Sequence, residues 1–127
     1  MNPKIFKAYD IRGIYPEEIN EEAVYKIGAA FAVFIRKISN KEKPQIVIGR
    51  DNRKSSDTLF DFLSKGIISQ GADVIDIGLS ATPTFYFSVV NYNYDGGVNI
   101  TASHNPKQYN GLKMVREKAI PLNEASG

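Results

Sequence analysis

The residues in this chain best suited to chemistry gather in three short stretches. "TASHNP", Thr101 to Pro106, holds the single histidine, His104, directly after Ser103. "YDIRG", Tyr9 to Gly13, sets Arg12 beside a glycine that lets the backbone turn. "GRDNRKSS", Gly49 to Ser56, places Arg50, Arg53 and Lys54 around Asp51. Adjacent side chains on an extended segment point opposite ways, so Ser103 and His104 do not form a nucleophile and its base. No G-x-S-x-G elbow is present either, which argues against a serine hydrolase. A hydroxyl with cations nearby is instead what phosphoryl transfer requires: the serine carries or receives the group, and cations offset charge on its oxygens. Pro106 restricts the backbone at Asn105, and Lys113 follows ten residues after Ser103. Asn110-Gly111 reads as a turn that folds the chain back and brings Lys113 near the serine. A phosphoserine, with about −1.5 to −2 charge, needs partners of this kind. The plainer alternative is a polar surface loop whose lone histidine is structural or merely exposed.

The elements that would position these loops alternate between helix and strand. Asn20 to Ile38 is the clearest helix: Val24, Ile27, Phe31, Phe34, Ile35 and Ile38 recur at helical spacing. Asn20 suits its cap, Glu21 and Glu22 its positive end, and Arg36 and Lys37 the other end. "QIVIG", Gln45 to Gly49, is a buried strand. A second helix runs from about Asp57 to Gln70 with Leu59, Phe60, Leu63 and Ile67 on one side, and Gly71 ends it. "DVIDIG", Asp73 to Gly78, is the next strand. Thr82-Pro83 opens a third helix that reaches about Tyr92 and buries Phe85, Tyr86, Val89 and Val90. "GGVNIT", Gly96 to Thr101, and "LKMV", Leu112 to Val115, are the last strands. This order implies an α/β fold with a largely parallel sheet, whose sites gather beyond the carboxyl ends of the strands. Both polar loops, "GRDNRKSS" and "TASHNPKQYNG", come directly after such ends.

Bulk composition narrows the function further. The 127 residues make one domain, with 43% hydrophobic and 24% charged residues as in ordinary globular proteins. A formal charge of +2, evenly spread, excludes the footprint of a nucleic-acid or anionic-membrane binder. With no cysteine, thiol chemistry is excluded, and a single histidine argues against a zinc site. No apolar run approaches the ~20 residues of a membrane span, and the start lacks a signal-peptide core, so a cytoplasmic location is expected. "NIT" at Asn99 to Thr101 is then a chance sequon. Neither a P-loop nor a dinucleotide fingerprint occurs. Residues 120–127 read as a linker or the point where a longer chain was cut.

Taken together and in order, "FKAYDIRG", "GRDNRKSS" and "TASHNP…YNGLKM" resemble the α-D-phosphohexomutases, with "YDIRG" closest to the phosphomannomutase/phosphoglucomutase branch. The resemblance covers the whole chain but only the first of that family's four domains. It implies a three-layer sandwich with a mostly parallel, mixed sheet between helices. It also implies that Ser103 is phosphorylated and exchanges its phosphoryl group with a hexose phosphate through a glucose or mannose 1,6-bisphosphate. By the same resemblance, His104 stands beside the phosphoserine, Lys113 does general acid/base work, and Arg12 faces the phosphate with Tyr9 as neighbour. Asp51 and Arg53, and with them Asn105, support the loop; ordinary structural pairing accounts for Asp51 and Arg53 equally well. Mg²⁺ would take one phosphoserine oxygen, yet it prefers near-octahedral oxygen coordination and needs an Asp cluster that this chain lacks.

The expectation is therefore the nucleophile-bearing N-terminal domain of a mutase, inactive alone, whose partners are a hexose phosphate and the enzyme's remaining domains. Two other classes stay open at this point: a free-standing module that binds phosphate or phosphosugar without turnover, and a structural domain with polar loops.

Overall fold

In a computed structural model of the chain, residues 6–7, 10–15, 17–79, 82–101 and 109–119 are described. Six strands and three helices succeed one another: β1 (Phe6–Lys7), β2 (Asp10–Ile14), α1 (Glu21–Ser39), β3 (Gln45–Arg50), α2 (Ser56–Ser69), β4 (Asp73–Leu79), α3 (Thr82–Asn91), β5 (Gly96–Ile100) and β6 (Tyr109–Arg116), with a 3-10 turn at Glu117–Ala119. The strands form one mixed sheet in the order β1-β2-β6-β5-β3-β4. Strands β4, β3 and β5 run parallel, whereas β5, β6, β2 and β1 pair antiparallel. Helices α1 and α2 cover one face and α3 the other, giving three layers.

Helix α1 forms where its stripe requires. The Asn20 side chain accepts from the Ala23 N–H at 2.9 Å, satisfying one of the orphan donors at the helix start. Val24, Phe31 and Ile35 are buried, and Ile27, Phe34 and Ile38 pack beside them. Leu59, Leu63 and Ile67 of α2 meet them across a close helix contact. Glycines allow that closeness on both sides: a Cβ at Gly28 would lie 2.6 Å from the Leu63 carbonyl oxygen, and one at Gly66 would lie 2.1 Å from that of Tyr25. With Ile46, Ile48, Val98, Ile100, Leu112 and Met114 from the sheet, these side chains make the larger core. Each fully buried Leu or Ile stabilises it by about 1.5–3 kcal/mol. On the opposite face, Val47, Phe85, Val89 and Val115 make a smaller one.

Two expectations are corrected, and two strands are added. Val90 of α3, expected to be buried, is 52% exposed, because Phe85, Ser88 and Val89 take that helix's inner side, with Tyr86 packed beside them, while Phe87 and Val90 face outward. Strands β1 and β2 are not expected from the sequence: "DIRGI" contains Asp and Gly, both poor strand formers, and pairing to β6 makes it a strand. Asn110-Gly111 is not a turn. Both residues lie inside β6, opposite Gly13 and Arg12 of β2. The ladder and the burial of Asn110 override the turn preference of the pair, and the chain reverses earlier, between Thr101 and Tyr109.

Candidate functional site

The carboxyl ends of β3 and β5 lie side by side, because the two strands are parallel and in register as far as Arg50↔Ile100. Backbone hydrogen bonds tie the segments beyond these ends to neighbouring strands. The Asp51 N–H donates to the Ile100 carbonyl (3.1 Å), and the Thr101 N–H donates to the Gly111 carbonyl (2.9 Å). Residues 102–108, which carry Ser103, His104 and Asn105, lie outside the described residues, as does Tyr9. The backbone on both sides of the serine segment is described: Thr101 stands at one stem and Tyr109 at the other.

Asp51 organises the β3–α2 connection. One carboxylate oxygen accepts from Ser56 Oγ (2.7 Å) and from the Arg53 N–H (3.1 Å), and the other accepts from Arg53 Nε (3.0 Å). Arg53 also donates through Nη1 to the Tyr109 carbonyl (3.3 Å), so its guanidinium bridges this loop and the downstream stem. Just behind, Asn110 is wholly buried and donates from Nδ2 to Ser55 Oγ (2.7 Å) and Ser56 Oγ (3.1 Å). Sequence reasoning passed over Ser55, Ser56 and Asn110. The two serines looked like polar loop ends, and Asn110 looked like half of a turn. No local pattern marks them, because the partners stand 54 and 55 residues apart in the chain.

Lys113 is partly buried. It sits in β6 opposite Asn99 of β5 on one side and Asp10 of β2 on the other. It shares a sheet face with Val115, the α3 side, while Leu112 and Met114 point into the larger core. The Arg12 backbone pairs with Gly111, whose carbonyl also receives the Thr101 N–H. The strand register thus brings Arg12, Lys113 and the root of the Ser103 segment into neighbouring rows of one sheet. Lys113 comes near that root through the antiparallel pairing of β5 and β6, not through a turn at Asn110.

Arg50 stands at the edge of this region but faces the other way. It bonds to Asp57 (2.8 Å) and Asp76 (2.9 Å) and stacks over the Phe60 ring at 4.6 Å. Burial pulls its pKa down, but the two carboxylates outweigh that and raise it. It is a structural tie between β3, α2 and β4. Among the described residues, no three histidine, aspartate or glutamate side chains gather to hold a metal. Asp51, whose backbone N–H reaches the Ile100 carbonyl, has its carboxylate engaged by Arg53 and Ser56. The described residues therefore do not fit a complete Mg²⁺ site. No helix among them is long and apolar enough to cross a membrane.

Against known proteins, residues 3–126 match the family model for phosphoglucomutase/phosphomannomutase, alpha/beta/alpha domain I. A phosphomannomutase from Klebsiella pneumoniae is 47% identical over 123 residues, spanning 96% of this chain and 74% of that protein. One from Escherichia coli is also 47% identical over 96% of this chain, but the match spans only 25% of its length. The crystal structure of a phosphoglucomutase/phosphomannomutase family protein from Burkholderia thailandensis superposes with a TM-score of 0.86 at 33% identity, over 99% of this chain and 29% of that one.

Proposed function

The chain belongs to the phosphoglucomutase/phosphomannomutase family, as its domain I, and from that premise we propose that it carries the phosphoryl group of a hexose-phosphate mutase on Ser103. One observation carries the reading: the strands flanking the Ser103 segment are pinned to each other and to the β3–α2 loop, with Lys113 on the downstream strand. Lys113 puts a cation on the strand that pairs with β5, beside the Thr101 stem.

In this reading phosphorylated Ser103 meets a hexose 1-phosphate. The sugar's 6-hydroxyl oxygen attacks phosphorus, the bond from phosphorus to Ser103 Oγ breaks, and a 1,6-bisphosphate forms. The hydroxyl proton ends on Ser103 Oγ, relayed by Lys113 with His104 as the alternative carrier. The bisphosphate then turns over, and its 1-phosphoryl group passes back to Ser103 by the same exchange in reverse. Arg12 offsets charge on the transferring phosphoryl oxygens, Tyr9 lines the site, and Asp51, Arg53 and Asn105 support the loop. A Mg²⁺ ion, if bound, would need carboxylates from outside this chain beside the phosphoserine at Ser103, and would supply further charge neutralisation. Glucose and mannose phosphates are both candidate substrates, in the cytoplasm.

The chain alone is expected to show no steady interconversion of glucose 1-phosphate and glucose 6-phosphate. Put in place of the matching quarter of the E. coli phosphomannomutase, it is expected to restore turnover and to take a covalent phosphate at Ser103, read by mass spectrometry. Ser103→Ala is expected to abolish both. Turnover by the Ser103→Ala chimera would refute the phosphoryl-carrier role. Phosphate affinity with no covalent label in the parent would point to a binding module instead.

A further inference from the structure

Asn110 is an unusual choice for its place. It lies in a strand, is 0% exposed, and is succeeded by buried Gly111 and Leu112, where an apolar side chain would pack without needing partners. Its amide is instead fully used. Oδ1 accepts from the Gly111 N–H (2.9 Å), which fixes the direction of the amide, and Nδ2 donates to Ser55 and Ser56. Ser56, also 0% exposed, accepts from Asn110 and donates to Asp51. The Asp51 N–H in turn reaches Ile100. A line of hydrogen bonds thus runs from the start of β6, through the first residue of α2, to the end of β5. Arg53 closes a second path from Asp51 to Tyr109.

The two ends of this line are the two stems of the Ser103 segment. Ser103 lies two residues beyond Thr101, and Lys113 lies three beyond Asn110. We propose that Asn110 and Ser56 are positioning residues for phosphoryl transfer: they fix the downstream stem against the upstream one and so set where Ser103 stands relative to Lys113. The proposal rests on the reading of Ser103 as phosphoryl carrier. A directional, buried network suits this task better than apolar packing does, because hydrogen bonds specify distance and angle while packing tolerates sliding. The demand is real for group transfer, where a displacement of about 1 Å costs on the order of 10²-fold in rate.

The test uses the E. coli chimera and the 127-residue chain in parallel. Asn110→Ala and Ser56→Ala are each expected to lower kcat by about 10²-fold, with KM for glucose 1-phosphate within about twofold of the parent. In the chain itself, amide NMR resonances of Thr101 to His104 are expected to move while those of α1 stay in place. Ser56→Ala, which removes one oxygen and opens little space, carries the test if Asn110→Ala does not fold. Folded variants with parental kcat, or amide shifts that never reach Thr101, overturn the proposal. A parent chimera that never labels Ser103 sinks the phosphoryl-carrier reading and this proposal with it. An active parent with indifferent variants sinks this proposal alone.

Discussion

Leu63 and Asn110 are both completely buried, yet the regions around them are held by opposite means. Leu63 sits between α1 and α2 among aliphatic neighbours, where attraction has no direction and many side chains of similar volume serve. Asn110 sits under the first turn of α2, where its amide is held by hydrogen bonds of one geometry. The first region supplies stability and the second supplies position. The polar one adjoins the stems of the Ser103 segment, and the apolar one keeps helices on the sheet.

The largest effect belongs to the apolar region. Leu63→Ala removes a buried side chain at the α1–α2 contact and is expected to cost about 2–5 kcal/mol in urea unfolding, whereas Leu63→Met costs less than about 1.5 kcal/mol. Activity per folded chimera is expected to be unchanged in both. A fall in kcat at full folding would erase the division between the two regions, since packing would then be setting position as well.

Asp51→Asn probes the polar region next. It keeps the shape but replaces a carboxylate that accepts from Arg53 and Ser56. Hydrogen bonds to a charged group contribute about 1.5–3 kcal/mol, less where water reaches them, and this side chain is 22% exposed. A loss of about 1–2 kcal/mol is expected, smaller than for Leu63→Ala, and measured by the same unfolding curve. In the chimera the fall in kcat is expected to be disproportionate to that loss. If stability falls and kcat does not, Asp51 is an ordinary structural partner.

The same contrast explains what could be read from the sequence. The stripe of Val24, Phe31 and Ile35, the cap at Asn20, and the β-branched run of β3 announce themselves because periodicity and capping are local. Strand β2 and the true position of Asn110 were hidden, since both depend on partners far along the chain: "DIRGI" becomes a strand only by pairing with β6. The motifs around Arg12, Asp51, Ser103 and Lys113 pointed to phosphoryl chemistry through residue type and resemblance. The bonds from Asn110 to Ser55 and Ser56 could not be read, because a contact between residues so far apart in the chain leaves no spacing rule in sequence. Exposure misled at Val90 for a similar reason, since helical spacing marks an apolar side without saying how much of it the sheet can cover.

The smallest effect comes from a polar contact that water reaches. Tyr15, just after β2, donates its hydroxyl to Glu21 in the first turn of α1. That hydrogen bond, then burial and the Glu21 charge, raise the tyrosine above its ordinary value near 10. The folded state therefore holds its proton to higher pH than the unfolded chain does. The resulting stability is fully present below about pH 10 and is lost as pH rises through the folded value. Difference absorbance between the parent and Tyr15→Phe isolates this group from the other tyrosines, and Glu21→Gln is expected to move its titration back toward the ordinary value. At neutral pH neither change is expected to alter kcat in the chimera or to shift the unfolding midpoint by more than a little: although Ile14 next to Tyr15 pairs with Tyr109, the Tyr15–Glu21 contact lies near the surface and outside the buried line from Asn110 to Ile100. A loss of rate comparable to that expected for Asn110→Ala would mean that polar contacts position Ser103 wherever they occur. The buried line from Asn110 to Ile100 would then have no special place in the fold.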